Sequence, residues 1–101
     1  MSSLEQLWSR GKEFLGCEYA IMGGAMSWVS ERHLVAAISN AGGFGVIACS
    51  SMPPELLEKE IQATRALTDK PFGVNLIVMH PQLEELVAVC KKENVSHVVL
   101  A

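Results

Sequence analysis

The chain has 101 residues, half of them hydrophobic and 19% charged, which is enough for one domain with a buried core and unlike a disordered segment. Eight Lys and Arg against eleven Asp and Glu leave a net charge of −3. That balance argues against a nucleic-acid-binding domain, and no apolar run approaches the ~20 residues of a membrane span.

The elements follow in chain order. Ser2 or Ser3 caps a predicted first helix, with Leu4, Leu7, Trp8, Gly11 and Leu15 on one face and Gly16 ending it. Tyr19-Ala20-Ile21-Met22 reads as a short strand running into Gly23-Gly24. Ser30 is the expected N-cap of a helix from Glu31 to Asn40, buried along Leu34, Val35, Ile38 and Ala41. Gly42-Gly43 stops it, and Phe44 to Cys49 reads as a buried strand. Ser51-Met52-Pro53-Pro54-Glu55 starts a third helix, with Leu57, Ile61, Thr64 and Leu67 or Thr68 on its apolar face. Within it, Glu58, Lys59 and Glu60 read as a solvated face. Asp69-Lys70-Pro71 breaks the helix, and Phe72 to Val78 forms the next strand. His80-Pro81 opens a fourth helix carrying Leu83, Leu86, Val87 and Cys90, and Val95 to Ala101 reads as a fourth strand.

The order is a helix and then βαβαβαβ. Near-continuous apolar strands between amphipathic helices mean a parallel sheet covered by helices. The strand spacing suits both a (β/α) barrel and a doubly wound sheet. Four parallel strands are half of an eight-stranded barrel of ~250 residues. The expectation is therefore that residues 1–101 are the N-terminal half of a larger barrel, against the rival of a small complete four-stranded domain. An exposed half-barrel is expected to self-associate.

The N-terminal segment Met1 to Arg10 carries Glu5 and has no basic n-region or apolar h-region, so no signal peptide is expected. Cys17, Cys49 and Cys90 are odd in number and widely spaced, without a Cys-x-x-Cys pair. They read as reduced thiols of a cytoplasmic protein, with no metal site.

Ligands of parallel α/β folds sit at the C-terminal ends of strands. Gly42-Gly43-Phe44-Gly45 precedes a strand and so belongs to the opposite, structural end. Gly24-Ala25-Met26 follows a strand, where small residues let a flat or anionic ligand reach the backbone; a plain loop is the alternative. Asn75 stands inside an apolar strand. Period-two alternation puts it with Gly73 and Ile77 on one face, and puts Val74, Leu76 and Val78 on the face that meets the helices. A structural hydrogen bond and a ligand contact both account for such an amide. His80 lies at the ligand end and could be an acid, a base or a polar loop residue. His33 and His97 lie away from it. Trp28 and Phe44 read as packing anchors.

Three blocks carry a family resemblance. They are Gly24 to Ser30, Ser39 to Ala48, and Leu67 to Leu76. Their order and spacing resemble the nitronate monooxygenase family, formerly 2-nitropropane dioxygenase, which is similar to FMN-dependent enoyl-acyl-carrier-protein reductases. The resemblance runs from about Leu15 to Ala101. It implies a TIM barrel holding non-covalent FMN, with Gly24, Ala25 and Met26 against the flavin and Asn75 contacting it. The family usually has Pro and Gln where this chain has Ala20 and Gly23, so no side-chain role is carried over to Gly23. The implied activity is oxidation of alkyl nitronates with oxygen, the alternatives being an enoyl reductase and a non-catalytic half-barrel. The family's catalytic histidine matches none of His33, His80 and His97, so no catalytic residue is assigned and the 101-residue chain alone is expected to be inactive on nitronates.

Overall fold

The structure is a computed structural model and describes residues 2–101. Helix α1 spans Ser3–Leu15, strand β1 Met22–Gly23, α2 Arg32–Asn40, β2 Phe44–Ala48, α3 Pro54–Leu67, β3 Phe72–Leu76, α4 Leu83–Lys92 and β4 Val98–Leu100. All four strands are parallel, in the spatial order β1-β2-β3-β4. The sequential order is that of a barrel wall and excludes the strand reversal of a doubly wound sheet.

Local chemistry explains the helix ends. Ser2 accepts the Glu5 N–H while Glu5 returns a bond to the Ser2 N–H, a reciprocal cap. Gly16 closes α1 in the left-handed region at φ 73°. The strands are shorter than their apolar runs suggest. Tyr19 to Ile21 precedes the first ladder pair, and past Leu76 only the bond from the Val78 N–H to the Ala101 carbonyl continues the pairing, because pairing, not hydrophobicity, bounds a strand.

The register sorts the sheet into two faces. Gly45 pairs with Phe72, Val46 with Gly73, Ile47 with Val74 and Ala48 with Asn75. Ile47, Cys49, Phe72, Val74 and Leu76 therefore share one face, where they pack with Val35 of α2, Leu57 and Ile61 of α3, and Leu86 and Cys90 of α4. The other face carries Phe44 and Val46, which pack with Leu15 from the last turn of α1. So α2 to α4 cover one side of the sheet, and α1 closes only the strand starts of the other. His97 secures that closure. Its Nε2 bonds the Phe14 carbonyl at 2.6 Å, and its ring stands edge-on to Phe14 and Phe44.

Four expectations need correction. Ser30 does not cap α2; Glu31 does, accepting from the amides of His33 and Leu34. The buried stripe of α2 is Val35, Ala36 and Ser39, with Ala41 exposed. Ser39 is used there: its hydroxyl donates to the Pro71 carbonyl and accepts the Gly45 N–H. Glu60 is not solvated. It is 7% exposed, and both its oxygens accept from the Arg32 guanidinium and one from the Arg32 N–H. Trp28 is no packing anchor, being 66% exposed, whereas Phe44 is fully buried.

No helix among the described residues is long and apolar enough to cross a membrane. Val98, Val99 and Leu100 of β4 are all exposed on a strand with one open edge. The 101-residue chain is expected to associate through that edge in sedimentation runs. Leu100→Lys, which puts a charge on it, should shift the distribution toward monomer; an unchanged distribution would place the association elsewhere.

Candidate functional site

Strand register brings the site together. Ala48, Asn75 and Val99 lie side by side on adjacent strands, on the face turned away from α2 to α4. A cavity of about 220 Å³ opens on this face at the strand ends, lined by Met22, Gly24, Ala25, Val46, Asn75, Val99 and Ala101. Larger hollows lie elsewhere. One of about 450 Å³ sits on the surface of α1, and one of about 240 Å³ lies among Gly16, Gly42 and Pro71 at the strand starts. The first is open and shallow, and the second is at the structural end of the fold, so neither sits where parallel strands present ligands.

Of the sequence-predicted site residues, Gly24, Ala25 and Asn75 line the cavity. Met26 does not. Its N–H donates to the Ser30 hydroxyl at 2.8 Å, and its side chain is 51% exposed. Met22, Val46, Val99 and Ala101 also line the cavity without having been singled out. Alternation along Phe44 to Ala48 would have put Val46 on a face with Phe44, but only the ladder shows which face Asn75 shares.

The wall is apolar apart from one amide. Asn75 is half-buried, and its Nδ2 donates to the Val99 carbonyl at 3.0 Å. Its Oδ1 has no partner among the described residues and remains an acceptor. A Cβ built on Gly24 meets no atom within 4 Å, so this position fronts open space. An apolar wall with one oriented amide and a bare backbone approach suits a flat, polar-edged ring such as FMN. Gly23, by contrast, faces α2, where an added Cβ would collide with Ile38.

The loops at this end are pinned by polar side chains. Ser30 is 4% exposed; besides accepting from Met26 its hydroxyl donates to the Gly24 carbonyl at 3.4 Å. Ser50 donates to the Ser27 hydroxyl at 2.9 Å. Trp28 and Ser50 are held at φ 63° and 50°, a left-handed conformation that costs a non-glycine residue about 1–3 kcal/mol and concentrates at ligand sites. His80 resolves as a loop tether. Its Nδ1 accepts the Gln82 N–H at 2.9 Å, leaving Nε2 to donate to the Met52 carbonyl at 3.0 Å. Both ring nitrogens are thus engaged, and His80 offers no free base. His33 bonds Glu31 on the far side of α2's start. Burial pushes the Glu31 carboxyl up, yet hydrogen bonds from the His33 side chain and from the His33 and Leu34 amides hold it below its ordinary 4.5. The stability that this cap contributes is present above pH 4.5 and is lost as pH falls through the lower folded value.

No group of His, Cys, Asp or Glu among the described residues could hold a metal. Burial pushes the Cys49 thiol up to about 11, with the Cys90 thiol adding to it, and burial raises Cys90 as well. Titration with a thiol reagent should therefore show one fast group, the half-buried Cys17, and two that react only as the chain unfolds. Three equally fast thiols would contradict the packing. The sign of the pH effect follows: between about pH 9 and 11 the unfolded chain sheds thiol protons that the folded chain keeps, so stability falls as pH rises.

Comparison with known proteins adds an independent line. A nitronate monooxygenase family model matches residues 9–100. A nitronate monooxygenase from Paraburkholderia phytofirmans is 42% identical over 67 residues, covering 66% of this chain and 18% of its own length. A (3aS,4S,5R,7aS)-5-hydroxy-7a-methyl-1-oxo-octahydro-1H-indene-4-carboxyl-CoA dehydrogenase from Rhodococcus jostii is 44% identical over 64 residues, covering 63% of this chain and again 18% of its own length. FabK from Thermotoga maritima superposes with a TM-score of 0.88 at 43% identity, over 90% of this chain and 29% of that one. A nitroalkane oxidase from Streptomyces ansochromogenes, at 23% identity and a TM-score of 0.76 over 88% of this chain and 35% of its own, shares the fold. The chain spans about a fifth of the length of the curated relatives it matches.

Proposed function

The chain belongs to the nitronate monooxygenase family, and on that footing we propose that it forms one wall of the FMN site of a flavin-dependent oxidoreductase acting on alkyl nitronates. The observation that carries this reading is the meeting of Gly24, Ala25 and Asn75 around one cavity at the strand ends. Each residue has a part in it. Gly24 and Ala25 allow the ring to approach the backbone, Val46 and Val99 supply an apolar wall that excludes water, and Asn75 presents an amide whose orientation the Val99 carbonyl fixes. FMN, when bound, supplies the redox chemistry, accepting electrons from the nitronate and passing them to oxygen. The chain supplies placement, and no base is assigned to it; the ring nitrogens of His80 and His97 are committed to loop and backbone partners. The open β4 edge, with Met22 and Val99 exposed on the inner face, supports a further part of the proposal, that this wall is half of an eight-stranded barrel.

A second reading is the reduction of an enoyl thioester by a nicotinamide donor, favoured by the 43% identity with FabK over 90% of this chain. Completed by the rest of its barrel and loaded with FMN, the wall should take up oxygen with an alkyl nitronate at a rate above that of free FMN, whereas the 101-residue chain alone should not. Nicotinamide-dependent reduction of an enoyl thioester, with no oxygen uptake, would select the second reading. Failure of the protein to retain FMN at all would sink both.

A further inference from the structure

Ser30 commits all of its polar groups to one turn and one strand. Its hydroxyl accepts the Met26 N–H at 2.8 Å and reaches the Gly24 carbonyl at 3.4 Å. Its N–H donates to the Met26 carbonyl at 2.8 Å, and its carbonyl accepts the Ala48 N–H at 3.1 Å. The first three bonds close the turn that brings Gly24 and Ala25 to the cavity. The fourth ties that turn to β2 at Ala48, the ladder partner of Asn75. Ser30 thus links the bare backbone on one side of the cavity to the oriented amide on the other. A second strut runs from Ser50, 7% exposed, to the Ser27 hydroxyl at 2.9 Å. It too starts from the β2 side.

The turn has little else to hold it. A Cβ on Gly24 would touch no atom within 4 Å, so packing does not fix its backbone. No other side chain among the described residues bonds the backbone of residues 24–26. A turn led by glycine has many backbone states open to it. A ligand that needs one of them binds in proportion to its population. Ser30 is 4% exposed in this wall alone, and further chain packed on the wall can only lower that figure.

Resting on the flavin-site reading, we propose that Ser30 is a positioning residue, which holds the Gly24–Met26 turn in the shape, and at the distance from Asn75, that admits the flavin ring. Without its hydroxyl the Met26 N–H and the Gly24 carbonyl turn to water. The turn then samples other shapes, and the ring meets a competent site only part of the time.

Ser39 supplies the control. It is 1% exposed, and its hydroxyl also accepts one backbone N–H, from Gly45 at 3.0 Å, and donates to one backbone carbonyl, that of Pro71 at 2.8 Å. It does so at the strand starts, away from the cavity. Ser30→Ala and Ser39→Ala each remove a single oxygen. In the full-length protein they should lower the apo melting temperature by similar amounts. Only Ser30→Ala should weaken FMN binding, about tenfold, and blur the visible absorption band of bound flavin toward that of free FMN. In the Asn75→Leu background Ser30→Ala should cost less affinity than in wild type, because spacing to a missing amide no longer matters. FMN affinity untouched by Ser30→Ala, or lowered as much by Ser39→Ala, would overturn the proposal. So would losses that simply multiply in the double variant. The flavin-site reading fails separately. A full-length wild type that retains no FMN, or an Asn75→Leu variant that binds it unchanged, defeats that reading and the positioning role with it. Weakening by Asn75→Leu without weakening by Ser30→Ala defeats the positioning role alone.

Discussion

Asn75→Leu is expected to weaken FMN binding about 5- to 150-fold. The substitution keeps roughly the volume of the side chain and removes both of its polar groups. The polar edge of the ring would then face hydrocarbon, at about 1–3 kcal/mol. The fold should lose less. Only the 3.0 Å bond from Nδ2 to the Val99 carbonyl disappears, about 0.5–1.5 kcal/mol for one neutral hydrogen bond, and leucine suits the apolar neighbourhood of Val46 and Val99. Flavin titration of the full-length wild type and variant, beside thermal melts of both without flavin, checks this. Unchanged flavin affinity together with a large loss of apo stability would make Asn75 a cross-strand hydrogen-bonder and no more.

Gly45→Val should destabilise the chain by about 3 kcal/mol or more, a drop in Tm of about 12 °C or more for a domain of this size. A Cβ on Gly45 would press into the Val35 carbonyl oxygen and lie 2.9 Å from Val35 Cγ1. The obstacle is helix backbone, so no side chain can rotate aside, and α2 would have to lift off β2. That movement would also pull on Ser39, which accepts the Gly45 N–H at 3.0 Å. The result bears on function, because a glycine-rich stretch invites a phosphate-binding reading. A melt close to wild type, with flavin affinity reduced instead, would move Gly45 from helix packing to ligand binding.

What the sequence determined by itself was whatever depends on near neighbours. A serine cap at Ser2 or Ser3, the stop at Gly16, the start at Pro53-Pro54 and the alternation that sets Asn75 apart from Val74 and Leu76 all follow from spacings of one to four residues. The parallel sheet followed from the repeated apolar strand and amphipathic helix. The three quoted blocks carried the family. Tertiary structure decided the rest, because partners far apart in the chain set it. Glu60 looked solvated until Arg32, 28 positions away, placed a guanidinium and an amide against it. His80 looked free until Met52, also 28 positions away, took its Nε2. Ser30 resembled a helix cap, yet its hydroxyl is spent inside its own loop and its carbonyl on β2. That loop is what turns Trp28 outward, against the ordinary preference of an indole for the interior. Periodicity records which residues share a face. Only the register of neighbouring strands decides what that face meets, and so which amide, glycine and valine come to border one cavity.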